Sequence, residues 1–206
     1  AADLVLAFAG DVTQHTGTVN ITDAPNLAQL KEINAETNGA ITLDDTTGAL
    51  SGSAADLVLA FAGTVTQHTG TVAITDAHNL AQLKSVNDNT DGTITLHDYT
   101  VALSGSSADV AAALAGTFAA NYTGNVTLTD DPSVTQLKAI NGNTTGSITL
   151  QSDDGALSGS AADLVLAFAG DVTQHTGTVN ITDAPNLAQL KEINAETNGA
   201  ITLDDT

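Results

Sequence analysis

A period of about 53 residues runs through the whole chain and constrains its fold more than any other feature. The segment AADLVLAFAG begins at Ala1, Ala54 and Ala161, and SADVAAALAG stands at the same place from Ser107. Residues 161–206 repeat residues 1–46 letter for letter. We therefore expect one continuous tandem-repeat protein over residues 1–206, with repeats 1–53, 54–106, 107–160 and a truncated 161–206.

The third repeat is the divergent one, because it carries one extra residue in its loop between Gly116 and Gly124. The chain has no initiator Met, opens inside a repeat and stops inside another at Thr206. These ends predict an excerpt of a longer chain.

The charge balance narrows the range of partners. The 24 acidic residues against four Lys or Arg residues give a formal net charge of -20, which argues against nucleic acid and anionic membranes as partners. There is no Cys, so disulfides and thiolate metal sites are excluded. The longest apolar run is about seven residues, far below the roughly 20 that span a bilayer, so we expect no membrane insertion.

Each repeat contains two similar halves that read as helix, loop and strand. Ser53 followed by Asp56 predicts a capping box before the first helix of the next repeat, and Asp23 is expected to cap a second helix opened by Ala24 and Pro25. Gly10 stands where the chain leaves a helix, as does Gly39 further on.

The two helices of a repeat differ in character. The second carries a narrow apolar stripe of Leu27, Leu30 and Ile33, which is typical of a half-exposed helix. The first, LVLAFA over residues 4–9, has no polar face, so we expect it to be buried on nearly all sides.

The strands alternate between apolar and polar residues, Val19 and Ile21 in the first half and Ile41 and Leu43 in the second. Strands recur after 22 and then 31 residues with a helix in each interval, which is the spacing of parallel neighbours joined by crossovers. The pattern predicts an α/β fold: a tandem-repeat αβ-solenoid with a parallel β-sheet on one face, helices on the other, and two coils per repeat.

Such a solenoid has the general shape of a leucine-rich repeat, but the LxxLxLxxN signature is absent. At the level of NITDAPNLAQLKEINAETNGAITLDD, the sequence resembles the long Thr-, Asp- and Ala-rich tandem repeats of giant cyanobacterial and marine bacterial cell-surface proteins. The resemblance implies an extracellular or cell-surface location and a structural or adhesive role. It brings no site residues.

Acidic residues cluster just after the strands, where successive coils would stack them into a ledge of oxygen ligands of the kind calcium prefers. The calcium candidates are Asp23, Asp44, Asp45, Asp76, Asp98, Asp130, Asp131, Asp153 and Asp154. Helix capping is the favoured interpretation of these residues, since Asp is an ordinary cap where a strand leads into a helix and no known calcium-binding loop pattern occurs. The sequence therefore predicts no firm metal or cofactor site, with calcium as the alternative.

Two further sets of repeated residues are candidate ligand sites. His15, His68 and His175 share one position, but copies two coils apart lie about 9 to 10 Å from each other, too far to share an ion. We interpret them as structural or solvated residues. The outward strand face carries a series of threonines that suits ice or glycan binding, although Thr also favours any wet strand: Thr18, Thr22, Thr42, Thr71, Thr75, Thr93, Thr95, Thr127, Thr129 and Thr149.

An enzyme is not expected, because the chain repeats each candidate group and has no nucleophile elbow, phosphate-binding loop or HExxH motif. The leading hypothesis is a structural stalk, sheath or filament segment of a large extracellular or cell-surface protein, with an adhesion or matrix role. Its expected partners are further repeats of the same chain and, through the apolar first helix, lateral copies of itself. The alternative is a binding module for calcium, glycan or ice.

Overall fold

The computed structural model describes residues 1–10 and 13–204, so the last two residues of the fourth repeat lie outside it. The chain divides into two compact units. The first contains residues 1–98 and 116–120, and the second contains residues 99–115 and 121–206.

The first unit alternates short helices with three-residue strands. Its elements are α1 (Ala2–Phe8), β1 (Val19–Ile21), α2 (Leu27–Ala35), β2 (Ile41–Leu43), β3 (Leu50–Gly52), α3 (Ala54–Ala60), β4 (Val72–Ile74), α4 (Leu80–Asp88) and β5 (Ile94–Leu96).

The second unit repeats this order from the third strand onward. Its elements are β6 (Leu103–Gly105), α5 (Ser107–Leu114), β7 (Val126–Leu128), α6 (Val134–Asn143), β8 (Ile148–Leu150), β9 (Leu157–Gly159), α7 (Ala161–Phe168), β10 (Val179–Ile181), α8 (Leu187–Glu196) and β11 (Ile201–Leu203).

Every strand pair in the described residues is parallel. In the first unit β1 pairs with β2, and β3, β4 and β5 form a three-stranded sheet. In the second unit the sheets are β6-β7-β8 and β9-β10-β11. The register joins residues 22 positions apart, as in Val19 with Ile41, or 23 apart between β6 and β7, so each strand pairs with the next turn of the chain.

The tail of each repeat forms a strand that the sequence did not predict. LSG over β3 pairs with β4, and its counterparts β6 and β9 pair with β7 and β10 in the same way. The strand β2 instead continues through a single parallel bridge from Ile41 to Val65. The described strands therefore form several small parallel sheets rather than one unbroken ribbon. The wider αβ-solenoid architecture and the four repeat boundaries stay predictions.

The alternation of the strands places the core. Val19 and Ile21 are buried while Asn20 faces solvent, and β2 shows the same pattern. The second helices add Leu30 and Ile33, both fully buried, to this core. The predicted inward faces of these strands and of the second helix are confirmed.

The predicted capping box at Ser53 is confirmed only in its first half, the bond to the Ser53 side chain, and the predicted cap at Asp23 is wrong. The Ser53 side chain accepts a hydrogen bond from the Asp56 amide at the start of α3. Asp23, however, does not cap α2, because the helix begins later, at Leu27, and Asn26 is its cap in a capping box with Gln29. The Pro25 residue that suggested an earlier start is buried before the helix begins.

The prediction that the first helix is buried all round was wrong. α1 buries none of its residues, and α3 buries Ala54, Leu57 and Ala60 but leaves Leu59 55% exposed. The helix thus packs on one side only, with Leu57 in the core and Leu59, two positions further on, facing solvent.

Two predicted helix-ending glycines have different roles. Gly10 follows α1 with a φ of 103°, in the left-handed region that glycine tolerates best. Gly39 instead lies against the neighbouring turn of chain, since a Cβ there would meet the Gly17 carbonyl oxygen at 1.8 Å. Gly146 lies against the Gly124 carbonyl in the same way, at 2.2 Å.

We predict that Gly146→Ala destabilises the second unit by about 1 to 3 kcal/mol, because the new methyl group would force apart two hydrogen-bonded turns of chain. Gly142→Ala, only four residues away in α6, is the control. A Cβ at Gly142 meets nothing within 4 Å, so this change should be neutral or stabilise the helix by up to about 1 kcal/mol. Urea unfolding of both variants measures the difference. Equal effects would show that the close approach at Gly146 is unimportant.

Candidate functional site: the contacts between successive coils

A coil here means one helix with the strand that follows it, and the side chains of the repeat meet mainly across neighbouring coils. α2 packs against α3 in the first unit, and α6 packs against α7 in the second. In each pair, polar residues of the earlier helix reach both ends of the later one. We call this set of contacts the inter-coil clamp.

The carboxyl end of the later helix is held by an asparagine. The Asn34 amide nitrogen donates to the backbone carbonyls of Leu59, Ala60 and Ala62 at 3.1, 2.8 and 2.9 Å. These carbonyls lie at the end of α3, where no further helical turn supplies donors. The asparagine therefore serves as a C-cap supplied from another coil.

The second unit has the same contact. The Asn141 amide nitrogen donates to the carbonyls of Leu166, Ala167 and Ala169 at 2.8, 3.4 and 2.6 Å. Sequence reasoning missed this residue type, because an Asn inside a helix gives no local signal of a partner 25 residues away.

The amino end of the later helix is held by a lysine. Lys31 donates to Asp56 at 2.6 Å and Lys138 donates to Asp163 at 2.5 Å, with all four side chains roughly 40% exposed. The hydrogen bond from Lys31, followed by that from Ser53, lowers the pKa of Asp56. Because these pairs are half-exposed, we assign them to register more than to stability. These lysines thus make specific contacts between coils in two repeats, and Lys84 also pairs with Asp88 on its own helix.

Aspartates that follow the strands cap helices, but across coils. Asp76 accepts a hydrogen bond from the Ala54 amide at 2.7 Å, at the start of α3 and 22 residues earlier in the sequence. Asp130 and Asp183 accept from the Ser107 and Ala161 amides at the same distance. Asp23 accepts from the amino group of Ala1, which lowers the pKa of the Asp23 carboxyl.

The remaining calcium candidates lie in turns. Asp45 accepts from the amide and hydroxyl of Thr47, which lowers its pKa, and Asp44 accepts from Asn20 at 3.4 Å. Asp153 and Asp154 accept from the hydroxyls of Thr176 and Ser152, respectively. Asp131 is exposed and Asp98 is half-buried.

Within the described ranges, no group of three or more His, Asp or Glu side chains is placed to hold a metal ion. Specific calcium binding stays a prediction, and several of the predicted ligands already accept hydrogen bonds from backbone amides.

A buried threonine links each pair of coils beside the strands. The Thr90 hydroxyl donates to the His68 carbonyl at 3.1 Å and accepts from the Gly92 amide at 3.0 Å. Thr37 and Thr197 make the same two bonds, and Thr144 makes them with Gly124 and Gly146. This hydroxyl satisfies backbone groups of both coils at once, in a place where an unpaired group would be costly.

The histidines at the shared repeat position are not equivalent. His68 and His175 are 3% and 2% exposed, whereas His15 is exposed. Each ring lies about 6 Å from a phenylalanine ring of the preceding helix, as in His68 and Phe61. Burial lowers the pKa of His68 and of His175. The burial of His68 and His175 supports the interpretation that these rings are structural residues.

The solvent face of the strands carries side-chain hydrogen bonds between coils. Thr42 donates to Asn20 at 2.8 Å, and Thr202 donates to Asn180 at 2.7 Å. In the central row of the β3-β4-β5 sheet the outward residues are Ser51, Ala73 and Thr95. The predicted series of threonines is thus mixed with other residues, and one of its members, Thr42, is already engaged with a neighbour.

The comparison with known families decides the family of this chain. A family model described as the coiled stalk of trimeric autotransporter adhesin matches residues 16–51, 62–102 and 176–206, just over half of the chain. This chain belongs to that family. Each matched segment covers the strand, second helix and second strand of a repeat, while the divergent third repeat lies wholly outside the match. A search of curated proteins and a search of solved structures each found no match.

As a member of the adhesin stalk family, the chain is a structural stalk segment of a cell-surface protein. The predicted cell-surface location and structural class are confirmed at this level. Across residues 1–10 and 13–204, no helix combines the length and apolarity needed to cross a membrane.

We predict that Asn141→Asp destabilises the second unit by about 1 to 3 kcal/mol, because a carboxylate would face three carbonyl oxygens that now receive a donor. Asn194→Asp is the matched control, since Asn194 occupies the same repeat position and makes no such bond within the described chain. Urea unfolding gives the free energies, and hydrogen exchange shows whether α7 loses protection first. A loss at Asn194 as large as at Asn141 would contradict the clamp.

Proposed function

We propose that this chain is a spacer of the adhesin stalk, in which tandem αβ coils stack as a solenoid and repetition supplies length. The observation that carries the proposal is the inter-coil clamp, which recurs with the same residue types in both units. Each coil is fixed by its immediate neighbour, so adding repeats extends such an array without requiring a new core.

The charge supports an exposed role. With a net charge of -20 and few lysines, the repeats repel one another between molecules and stay soluble at a cell surface. A sheath, filament or adhesive role would each be a more specific form of the proposed spacer function. The likeness to giant cyanobacterial and marine bacterial proteins stays a prediction, since the matching family names neither source.

A second part of the proposal is self-association of the stalk, as the trimeric name of the family suggests. Leu6, Leu59 and Leu166 occupy the same position of the first helix and are 74%, 55% and 50% exposed. Exposed leucines at a repeated position are what a lateral contact between copies would use. In the third repeat Ala112 stands at this position, so the contact would be interrupted there.

We predict that arrays of increasing repeat number grow by about 10 Å per repeat, since each repeat adds two coils at strand spacing. Negative-stain images of such arrays measure this increment. A continuous helical stalk would instead add about 80 Å per 53 residues. An increment near that value, or a chain of separate beads, would contradict the solenoid and leave family membership unaffected.

We predict that the chain sediments as a trimer and that the triple variant Leu6→Ser, Leu59→Ser and Leu166→Ser sediments as a monomer. The control is the triple variant Ala2→Ser, Ala55→Ser and Ala162→Ser, which alters exposed positions of the same three helices and should leave the trimer intact. Sedimentation equilibrium at several concentrations measures the masses. A monomeric parent chain at its highest soluble concentration would rule out lateral association through these leucines.

A further inference from the structure

Three histidines are buried, His68, His78 and His175, and the two that share one repeat position, His68 and His175, have no role in the proposed stalk function. His68 and His175 are 3% and 2% exposed, and neither ring nitrogen of either residue reaches a hydrogen-bond partner. A neutral imidazole still carries one N–H group, and a protonated one carries two and a charge. Burial therefore tolerates the neutral ring and strongly disfavours the charged one.

The surroundings of His68 contain little to compensate a charge. The Phe61 ring lies 6.0 Å away at a tilt of 47°. The Gly48 carbonyl and the Asp45 carboxylate favour the protonated ring, but the loss of solvation outweighs both and lowers the pKa of His68. Asp45 is also committed to Thr47 through two hydrogen bonds.

His175 has the same arrangement with different carboxylates. Phe168 lies 6.0 Å from its ring, and Asp153 and Asp131 are the charged groups that act on it. The Gly155 carbonyl corresponds to that of Gly48. Here too, burial is the largest influence and lowers the pKa of His175.

The third repeat carries a natural replacement of this histidine. Tyr122 stands at the same position, is 1% exposed, and donates its hydroxyl to the Val101 carbonyl at 2.5 Å. Val101 corresponds to Gly48 in the repeat, so the tyrosine hydroxyl donates to the carbonyl equivalent to the one that lies beside the His68 ring. The third repeat therefore has a smaller residue, Leu114, at the position of the phenylalanine, and a larger one, tyrosine, at the position of the histidine.

The backbone of this position joins two coils. The His68 amide donates to the Asn89 carbonyl at 3.0 Å, and the His68 carbonyl accepts from the Asp91 amide and from the Thr90 hydroxyl. A movement that lifts this backbone from its neighbour and exposes the ring to water breaks these hydrogen bonds between coils. The ring and the coil junction are coupled by this geometry.

We propose that His68 and His175 make their coils open locally on mild acidification, whereas Tyr122 keeps the corresponding coil of the third repeat closed. The opened form takes up a proton near the ordinary histidine pKa of 6.5, and the closed form does so only at lower pH. Stability at these junctions is thus complete above pH 6.5 and falls as the pH drops below it. The opening constant rises by up to about tenfold per pH unit for each histidine until the closed form also protonates.

Hydrogen exchange tests the proposal on the intact chain, with its own third repeat as the reference. The segment 61–70 has a unique sequence, unlike 168–177, which is identical to 8–17. Between pH 7 and pH 5.5, after correction for intrinsic exchange rates, protection in 61–70 should fall several-fold more than protection in 114–124. Equal losses in the two segments would overturn the proposal, because the common effect of protonated carboxylates acts on both.

Two variants separate the ring from the rest of the loop. Replacement of residues 61–70 by the sequence of residues 114–124 should abolish the extra loss of protection. The reverse replacement should create it in the third repeat. His68→Gln is the second arm, since it keeps a polar side chain that does not titrate in this range. If the histidine is the sensor, segment 61–70 of this variant loses no more protection between pH 7 and pH 5.5 than segment 114–124 does. This arm remains informative even where the loop exchange fails to fold. Persistence of the extra acid loss in His68→Gln would overturn the assignment.

Discussion

The structure depends on hydrogen bonds between one turn of the chain and the next, about 22 residues later. Strands of three residues have no stability of their own, and each satisfies its backbone groups only through a neighbouring coil. Close approach of the backbones follows from this constraint, which explains why glycine stands where Gly39 meets Gly17. The buried Thr37 then bonds backbone groups of both coils.

The helix contacts extend the same rule to the outer layer. α3 has only seven residues, too few to be stable alone, and its ends would leave several amide and carbonyl groups without partners. Ser53 and Asp76 satisfy donors at its start, and Asn34 satisfies acceptors at its end. Two of these three residues belong to other coils, so the stability of α3 depends on its neighbouring coils. This dependence is what makes the repeat suited to an array and poorly suited to independent folding.

The sequence predicted the features that are local or periodic. The parallel pairing of strands 22 residues apart followed from their spacing, the inward residues from their alternation, and the Ser53 cap from its motif. The neighbours predicted at 31 residues, such as β2 and β4, do not pair in the described sheets, because β3 takes that place beside β4. The strand β3 was missed because LSG is too short to show alternation, and the burial of the first helix was overestimated because composition alone cannot tell Leu57 from Leu59. Among the candidate site residues, Asp76 was identified as a cap, but its partner lies 22 residues earlier in another coil, where no helical pattern points to it.

Near-identical repeats raise the problem of pairing with the wrong copy. The contacts described here join residues 20 to 28 positions apart, whereas the equivalent residue of the next repeat lies 53 or 54 positions further on. The longer loop costs only about 1 kcal/mol more in closure entropy, which is a weak safeguard by itself. The inter-coil clamp adds to it, because Lys31 and Asn34 must engage both ends of α3 together and a misplaced helix would leave the carbonyls at its end unpaired. The third repeat, with its extra loop residue and Tyr122, offers different partners from the other three and so marks one position in an otherwise uniform array.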